Sequence, residues 1–283
     1  MSLASESYVK DLSSDELELY DRQLRIQGLG IEGQRKLRGA SAIVAGIGGL
    51  GCQSALYLAA AGFGKLKLID NDVVELSNLN RQVLHWYSDI GRFKAKSAEE
   101  KLQRLNPFVK VNGIVAKIEE RNVESLIQGA DVVIDGQDNY RTRFILNDAC
   151  IRLHIPFIHA AVQGFHGQLM TVVPGKGPCL RCLFPYTPQE TKPSPVIGAI
   201  PALMAALQVL EAIKVVLGIG KLMIGRLLIF DGEDARFEEV PIAPNPECPV
   251  CGILASQTSK LSSGEGKIID KIDGNPLNQT PRS

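Results

Sequence analysis

Three glycines, an acid, two cations and four cysteines are the residues of this chain whose spacing could do chemistry. The segment Ala42-Ile43-Val44-Ala45-Gly46-Ile47-Gly48-Gly49-Leu50-Gly51 joins a short apolar run to an apolar helix. Gly46, Gly48 and Gly51 let the backbone turn, approach a phosphate and pack against the helix that follows. That helix start offers unpaired N–H groups and a positive dipole end to an anion. Asp70, 24 residues after Gly46, closes a second apolar strand, where a carboxylate can accept ribose hydroxyls. A nucleotide site follows, with NAD and ATP both still open.

Asp70-Asn71-Asp72, then Ser77-Asn78-Leu79-Asn80-Arg81-Gln82 and Lys94, form a second cluster. Cleaving ATP requires cations against a triphosphate, whereas holding NAD does not. Taken singly, Arg81 and Lys94 would read as solvated surface cations, but within this pattern they read as phosphate partners. Asp138, in Asp135-Gly136-Gln137-Asp138-Asn139, has two readings. It is either an oxygen ligand for magnesium or the N-cap of a helix beginning near Tyr140. Asp135 reads as structural.

Cys179-Leu180-Arg181-Cys182 and, after 65 intervening residues, Cys248-Pro249-Val250-Cys251 make two Cys-x-x-Cys knuckles. Four thiolates suit a tetrahedral zinc with no coordination position left for water, so the expected site is structural. A redox dithiol would need only one pair. Cys52 and Cys150 read as core residues. None of His85, His154, His159 and His166 is spaced for metal binding or for a catalytic triad.

The elements that must position these groups alternate. Strands are expected at 42–46, 65–69, 109–116, 131–135 and 156–159, with helices at 50–61, 93–105, 122–127 and 140–152 between them. A helix is expected over 14–38, interrupted at Gly28-Leu29-Gly30. Such alternation predicts an α/β fold, a Rossmann-like, mostly parallel sheet with helices on both faces. After residue 164 the pattern changes to strands at 168–174 and 227–231 around an apolar helix, 201–217. This predicts a mixed or antiparallel extension carrying the zinc site. The Pro-rich stretch 185–195 reads as loop, and 253–283 as a weakly ordered tail.

With 283 residues, 45% of them hydrophobic, the chain can bury a large core. Its 31 basic and 31 acidic residues cancel, which argues against general attraction to nucleic acid or membranes. The apolar run 197–219 is broken by Pro201, Gln208, Glu211 and Lys214, so no membrane span is expected. Asp11, Asp15, Glu16 and Glu18 near the start do not form a secretory leader. A cytoplasmic protein is expected.

Tyr20-Asp21-Arg22-Gln23-Leu24-Arg25, the loop Gly46 to Gly51, Asp70-Asn71-Asp72, Asn78 to Gln82, Lys94, Asp138-Asn139 and the paired knuckles together resemble the ThiF/MoeB/HesA family. The likeness runs in order over residues 17–252 and implies one adenylation domain, 1–252. Its nucleotide-binding half would span about 40–160, and its carrier-binding and zinc half about 164–252. The resemblance implies ATP-dependent adenylation of the C-terminal glycine of a ubiquitin-like sulfur carrier ending in Gly-Gly, as in molybdopterin or thiamine synthesis. By that likeness Gly46, Gly48, Gly49 and Gly51 approach the nucleotide, and Asp70 holds ribose. Arg81 and Lys94 bind phosphates, Asp138 serves magnesium, and Asp72, Asn78, Gln82 and Asn139 complete the contacts. Arg22 would reach into the ATP site of the other subunit of a homodimer.

One departure carries weight. Many family members place a cysteine in the loop after the first knuckle, yet no cysteine stands between Leu183 and Glu247. Covalent transfer through a thiol of that loop is excluded, and no rhodanese-like segment is read after residue 252. Competing readings are adenylation of a peptide or of a tRNA nucleoside, an NAD-dependent oxidoreductase, and a non-catalytic adaptor for a ubiquitin-like protein.

Overall fold

A computed structural model describes residues 11–186, 188 and 195–252. The expected tail at 253–283, and residues 187 and 189–194 of the expected loop, lie outside the described residues. In chain order the elements are α1 (Ser14–Leu19), α2 (Asp21–Leu24), α3 (Gly30–Gly39), β1 (Ser41–Ala45), α4 (Gly49–Ala61) and β2 (Lys65–Ile69). Then come α5 (Lys94–Leu105), β3 (Lys110–Ile114), α6 (Val123–Ile127), β4 (Val132–Asp135), α7 (Tyr140–Arg152) and β5 (Phe157–Gln163). The last are β6 (His166–Val172), α8 (Leu180–Leu183), α9 (Ala199–Leu217), β7 (Arg226–Asp231) and β8 (Arg236–Pro241).

One eight-stranded sheet runs β3-β2-β1-β4-β5-β6-β7-β8. The first five strands are parallel and the last three join antiparallel, as the change of pattern near residue 164 predicts. β1 sends its chain to β2 on one side and neighbours β4 on the other. The strand order reverses there, so a crevice opens at the carboxyl ends of β1 and β4. The core is divided by the sheet. Leu50, Leu58, Met204 and Val209 pack on one face, and Phe144, Leu146, Ile151 and Phe157 on the other.

The expected helix over 14–38 is three short helices. α1 is fixed by a capping box, in which Ser13 Oγ accepts from the Glu16 N–H and the Glu16 carboxylate accepts from the Ser13 N–H. Gly28 and Gly30 take positive φ angles of 88° and 56°, which a continuous helix does not allow. β8 escaped the sequence reading because Arg-Phe-Glu-Glu-Val-Pro has little apolar alternation. It is the sheet's edge, mostly exposed, and charged residues suit an unpaired edge.

By length and composition α9 could cross a membrane, but about half of it is buried within the fold. It carries Gln208, whose Nε2 donates to the Asp135 and Ile158 carbonyls at 2.9 and 3.0 Å while Oε1 accepts from Ser54 Oγ. Glu211, also buried, accepts from Thr171 Oγ1 and the Met223 N–H. These bonds fasten α9 to the sheet as a core helix.

Candidate active site

The crevice is a cleft of about 1000 Å³. Its floor is the turn after β1. Gly46 has φ +93°, and a Cβ there would meet the Gly136 carbonyl oxygen at 2.7 Å, so the turns after β1 and β4 touch backbone to backbone. α4 then starts at Gly49 with Gly48 as its N-cap and no side-chain cap, leaving its first N–H groups facing the cleft.

The Asp70 carboxylate braces two turns at once. Oδ2 accepts from the Ile47 N–H and Oδ1 from the Asp72 N–H, both at 2.7 Å. Burial pushes the Asp70 carboxyl above the usual range against those stabilising bonds. Lys94, buried at the start of α5, reaches Asp72 Oδ2 with Nζ at 3.2 Å. Arg81 Nη1 donates to the Ser77 carbonyl at 2.8 Å and to Asn80 Oδ1 at 2.9 Å. Gln82 is buried at the cleft wall, and its Oε1 has no hydrogen-bond partner among the described residues.

The two readings of Asp138 separate in the structure. Asn139 Oδ1 caps α7 by accepting from the Thr142 N–H at 2.9 Å. Asp138 therefore is not the cap, and its carboxylate is exposed on the cleft. An exposed carboxylate lining the same cleft as the glycine turn is an oxygen ligand of the kind a hard cation such as magnesium takes.

Gly46, Gly48, Gly49, Asp70, Asp72, Arg81, Gln82, Lys94, Asp138 and Asn139 all line this one cleft. Three other expected site residues do not. A Cβ on Gly51 would lie 1.8 Å from the Gly46 oxygen, so Gly51 permits close packing beneath the loop. Asn78 is buried; its Oδ1 accepts from the Glu75 N–H and its carbonyl holds the Arg81 and Gln82 N–H groups, which shapes the turn. Arg22 is exposed on α2 and does not line the cleft of its own chain.

Arg143 was missed from sequence. It lines the cleft from the first turn of α7 and donates to the Gln137 carbonyl at 2.5 Å, with Nε 3.3 Å from Asp135 Oδ2. Asp135 is wholly buried, accepts from the Gln137 N–H, and faces His159 Nδ1 at 2.7 Å. The only advance signal was an acid at the end of a wholly apolar strand.

The four knuckle sulfurs lie within 4.8 Å of one another, with Cys179–Cys248 at 3.7 Å and Cys182–Cys251 at 3.4 Å. A tetrahedral zinc with Zn–S bonds of about 2.3 Å places its sulfurs about 3.8 Å apart, so the cluster fits the ion. The Asn245 N–H points at Cys182 Sγ from 3.4 Å, a donor for a thiolate. Burial, with the neighbouring cysteines, pushes the Cys179 thiol up to about 12, and a dication would reverse that. No cysteine lines the cleft among the described residues, which keeps this cluster apart from the nucleotide site.

Sheet order, glycine turn and converging cations define a nucleotide-binding α/β protein. The chain belongs to the ThiF family, whose profile matches residues 20–250. It is 43% identical over 246 residues to the SAMP-activating enzyme E1 of Haloferax volcanii, covering 85% of this chain and 91% of that one. The sulfur carrier protein adenylyltransferase of Thermus thermophilus is 40% identical over 250 residues, covering 85% and 92%. Adenylyltransferase and sulfurtransferase MOCS3 of Drosophila yakuba is 42% identical over 246 residues, covering 85% of this chain and 54% of its own length. The chain thus spans about half of that longer relative. Among solved structures, E. coli MccB with ATP superposes with a TM-score of 0.71 at 26% identity, covering 78% of this chain and 69% of that one.

Proposed function

We propose that this chain uses ATP to adenylate the C-terminal glycine carboxylate of a small ubiquitin-like sulfur carrier, releasing pyrophosphate. The observation that carries the reading is that Lys94, Arg81 and Asp138 line one cleft together with the uncapped start of α4. An NAD site, with a diphosphate and no phosphoryl chemistry, calls for fewer charged groups there, so these residues argue against it. The relatives named as sulfur-carrier and SAMP-activating enzymes support the same substrate class.

The chemistry suits these residues. A C-terminal carboxylate with a pKa of about 3.5 is ionised at neutral pH, so attack on the α-phosphorus needs no general base. One bond forms from carboxylate oxygen to phosphorus, and the bond from phosphorus to the bridging oxygen breaks, with its electron pair leaving on pyrophosphate. The task is to bring two anions together and to stabilise charge spreading onto the leaving group. In this reading the α4 N–H groups, Arg81 and Lys94 do that, and Asp70 holds the ribose. Asp138 would hold magnesium, which when bound supplies charge neutralisation across the phosphates.

Further parts of the reading follow from the same site. Arg22, exposed on α2, acts in the cleft of a partner subunit, which makes a homodimer the working form. The half around 40–160 binds the nucleotide, and that around 164–252 takes the carrier and holds the zinc. Without a cysteine between Leu183 and Glu247, the chain stops at the acyl-adenylate and a separate protein delivers sulfur. The MOCS3 likeness favours the molybdopterin branch, and the cytoplasm is the expected compartment.

ATP–pyrophosphate exchange with carriers ending in Gly-Gly tests the proposal. Carrier-dependent exchange that disappears in Asp138→Ala supports it. Reduction of NAD with no exchange under any carrier overturns it.

A further inference from the structure

Behind the glycine turn lies a buried polar chain that the adenylation chemistry does not use. The Ile47 peptide is held from both sides. Its N–H donates to Asp70, while its carbonyl faces His85 Nε2 at 3.2 Å and Cys52 Sγ at 3.4 Å. On the far side of the ring, His85 Nδ1 meets Ser97 Oγ at 3.0 Å. Lys101 Nζ donates to that oxygen at 2.8 Å and to Asp89 Oδ2 at 2.5 Å. His85, Ser97 and Asp89 are all buried.

Cys52 Sγ also stands 3.5 Å from His85 Nε2. We assign the proton to Nε2, because the Ile47 carbonyl at 3.2 Å is the nearer group and can only accept. Burial, aided by the Lys101 and Lys94 charges, pulls the His85 pKa down to about 4 and keeps the ring neutral. Nδ1 is then an acceptor, and the Ser97 hydroxyl donates to it. Lys101 has only donors and gives one to Ser97 and one to Asp89. No group in the series lacks a partner.

We propose that His85 is the positioning residue of the nucleotide site, locking the glycine turn to the segments that carry Lys94 and Arg81. Three connections support this. Ile47 lies between Gly46 and Gly48, so its orientation sets which way the phosphate-facing backbone points. Ser97 is one turn beyond Lys94 on α5. The His85 N–H bonds the Gln82 carbonyl at 2.9 Å, at the end of the turn that presents Arg81 and Gln82. One residue therefore joins all three ligand-bearing segments, its ring holding the glycine turn and α5 and its backbone N–H holding the Gln82 carbonyl, and it does not line the cleft itself. Misplacing a preorganised phosphate cradle by an ångström costs about 100-fold in rate. The inference rests on reading the cleft as an ATP site.

The test compares His85→Phe, which keeps ring volume but loses both hydrogen bonds, with His85→Gln, which retains an N–H donor, and with Ser97→Ala. In ATP–pyrophosphate exchange at saturating carrier, His85→Phe should lose about 100-fold in kcat/KM for ATP, and His85→Gln should recover to within about tenfold of wild type. Ser97→Ala, which leaves the ring in place, should fall about tenfold and serves if the Phe variant does not fold. A lowered Tm with unchanged kcat and KM in these variants would overturn the proposal, because packing alone would then explain the chain. Imidazole ¹⁵N shifts of the full-length protein give a readout independent of activity: a neutral Nε2–H ring at pH 7 supports the clamp and an Nδ1–H ring overturns it. Absence of exchange in the wild type would strike the ATP reading instead.

Discussion

Lys94 Nζ sits 3.2 Å from Asp72 Oδ2, so a buried cation facing the cleft is paired with an acid that lines the same cleft. Both residues stand at the end of one hydrogen-bonded link, since the Lys94 N–H donates to the Asp72 carbonyl at 2.9 Å. Lysine presents a compact charge that can pass from carboxylate to phosphate with little movement. A nucleotide phosphate arriving there would compete with the Asp72 carboxylate for the ammonium.

Lys94→Ala should therefore reduce carrier-dependent exchange by roughly 100- to 1000-fold, the scale for losing one preorganised contact to developing charge. Lys94→Arg should recover little, because the planar guanidinium does not fit a buried site built for a point charge. Exchange rates at saturating ATP and carrier decide this, and a wild-type rate in Lys94→Ala would remove the lysine from the site.

Asp138 and Asn139 are neighbours with separable tasks. Asn139→Ala removes the cap of α7 and should cost about 1 kcal/mol of stability. Asp138→Ala, an exposed change, should shift stability by no more than about 0.5 kcal/mol yet lose the exchange activity. Urea unfolding and exchange, measured on both variants, should move in opposite patterns. Equal loss of stability in the two would mean that Asp138 supports the fold.

The cysteine cluster predicts one zinc per chain by elemental analysis. Its ligands join the segment after β6 to the segment after β8, so removing the ion should loosen that part of the fold. Cys248→Ser should lose the metal and lower the Tm, and a strong chelator should do the same to the wild type. Metal-free protein with an unchanged Tm would dismiss the zinc claim while leaving the cleft untouched.

What the sequence made legible was set by local physics. The glycine turn, Asp70 and the parallel strands were readable because each is written in a contiguous run of residues with its own period. Arg81 and Lys94 were readable only as a pattern, and the cleft brings them together from separate segments. Asn78 and Gly51 belong to the same motifs, yet they act on the backbone beneath the cleft. A motif records which residues recur together without separating contact from support. β8 was hidden by its lack of apolar alternation and Arg143 by standing as one more cation on a helix, whereas the His85 chain was hidden because its partners lie far away in sequence. Ser97 and Ile47 give His85 its role, and nothing in the spacing from 47 to 85 to 97 suggests it.

That hidden histidine also dictates a pH response. His85 titrates near 6.5 in an unfolded chain but is held down to about 4 in the folded one, chiefly by burial. Between these values the unfolded chain binds more protons, so stability rises with pH across the window. The contribution is complete above pH 6.5 and is lost as pH falls toward 4, amounting to about 2 kcal/mol by pH 5 and about 3 kcal/mol in all. Burial pushes His159 in the same direction, which adds to the slope. Glu16 and Asp89 have carboxyls held below the usual range through Arg38, and through Lys101 and Arg92, so they act at lower pH. His85→Gln has no proton to gain there, and its urea midpoint should fall less than that of the wild type between pH 7.5 and pH 5. Parallel falls in the two proteins would show that His85 is not the buried neutral group that the geometry requires.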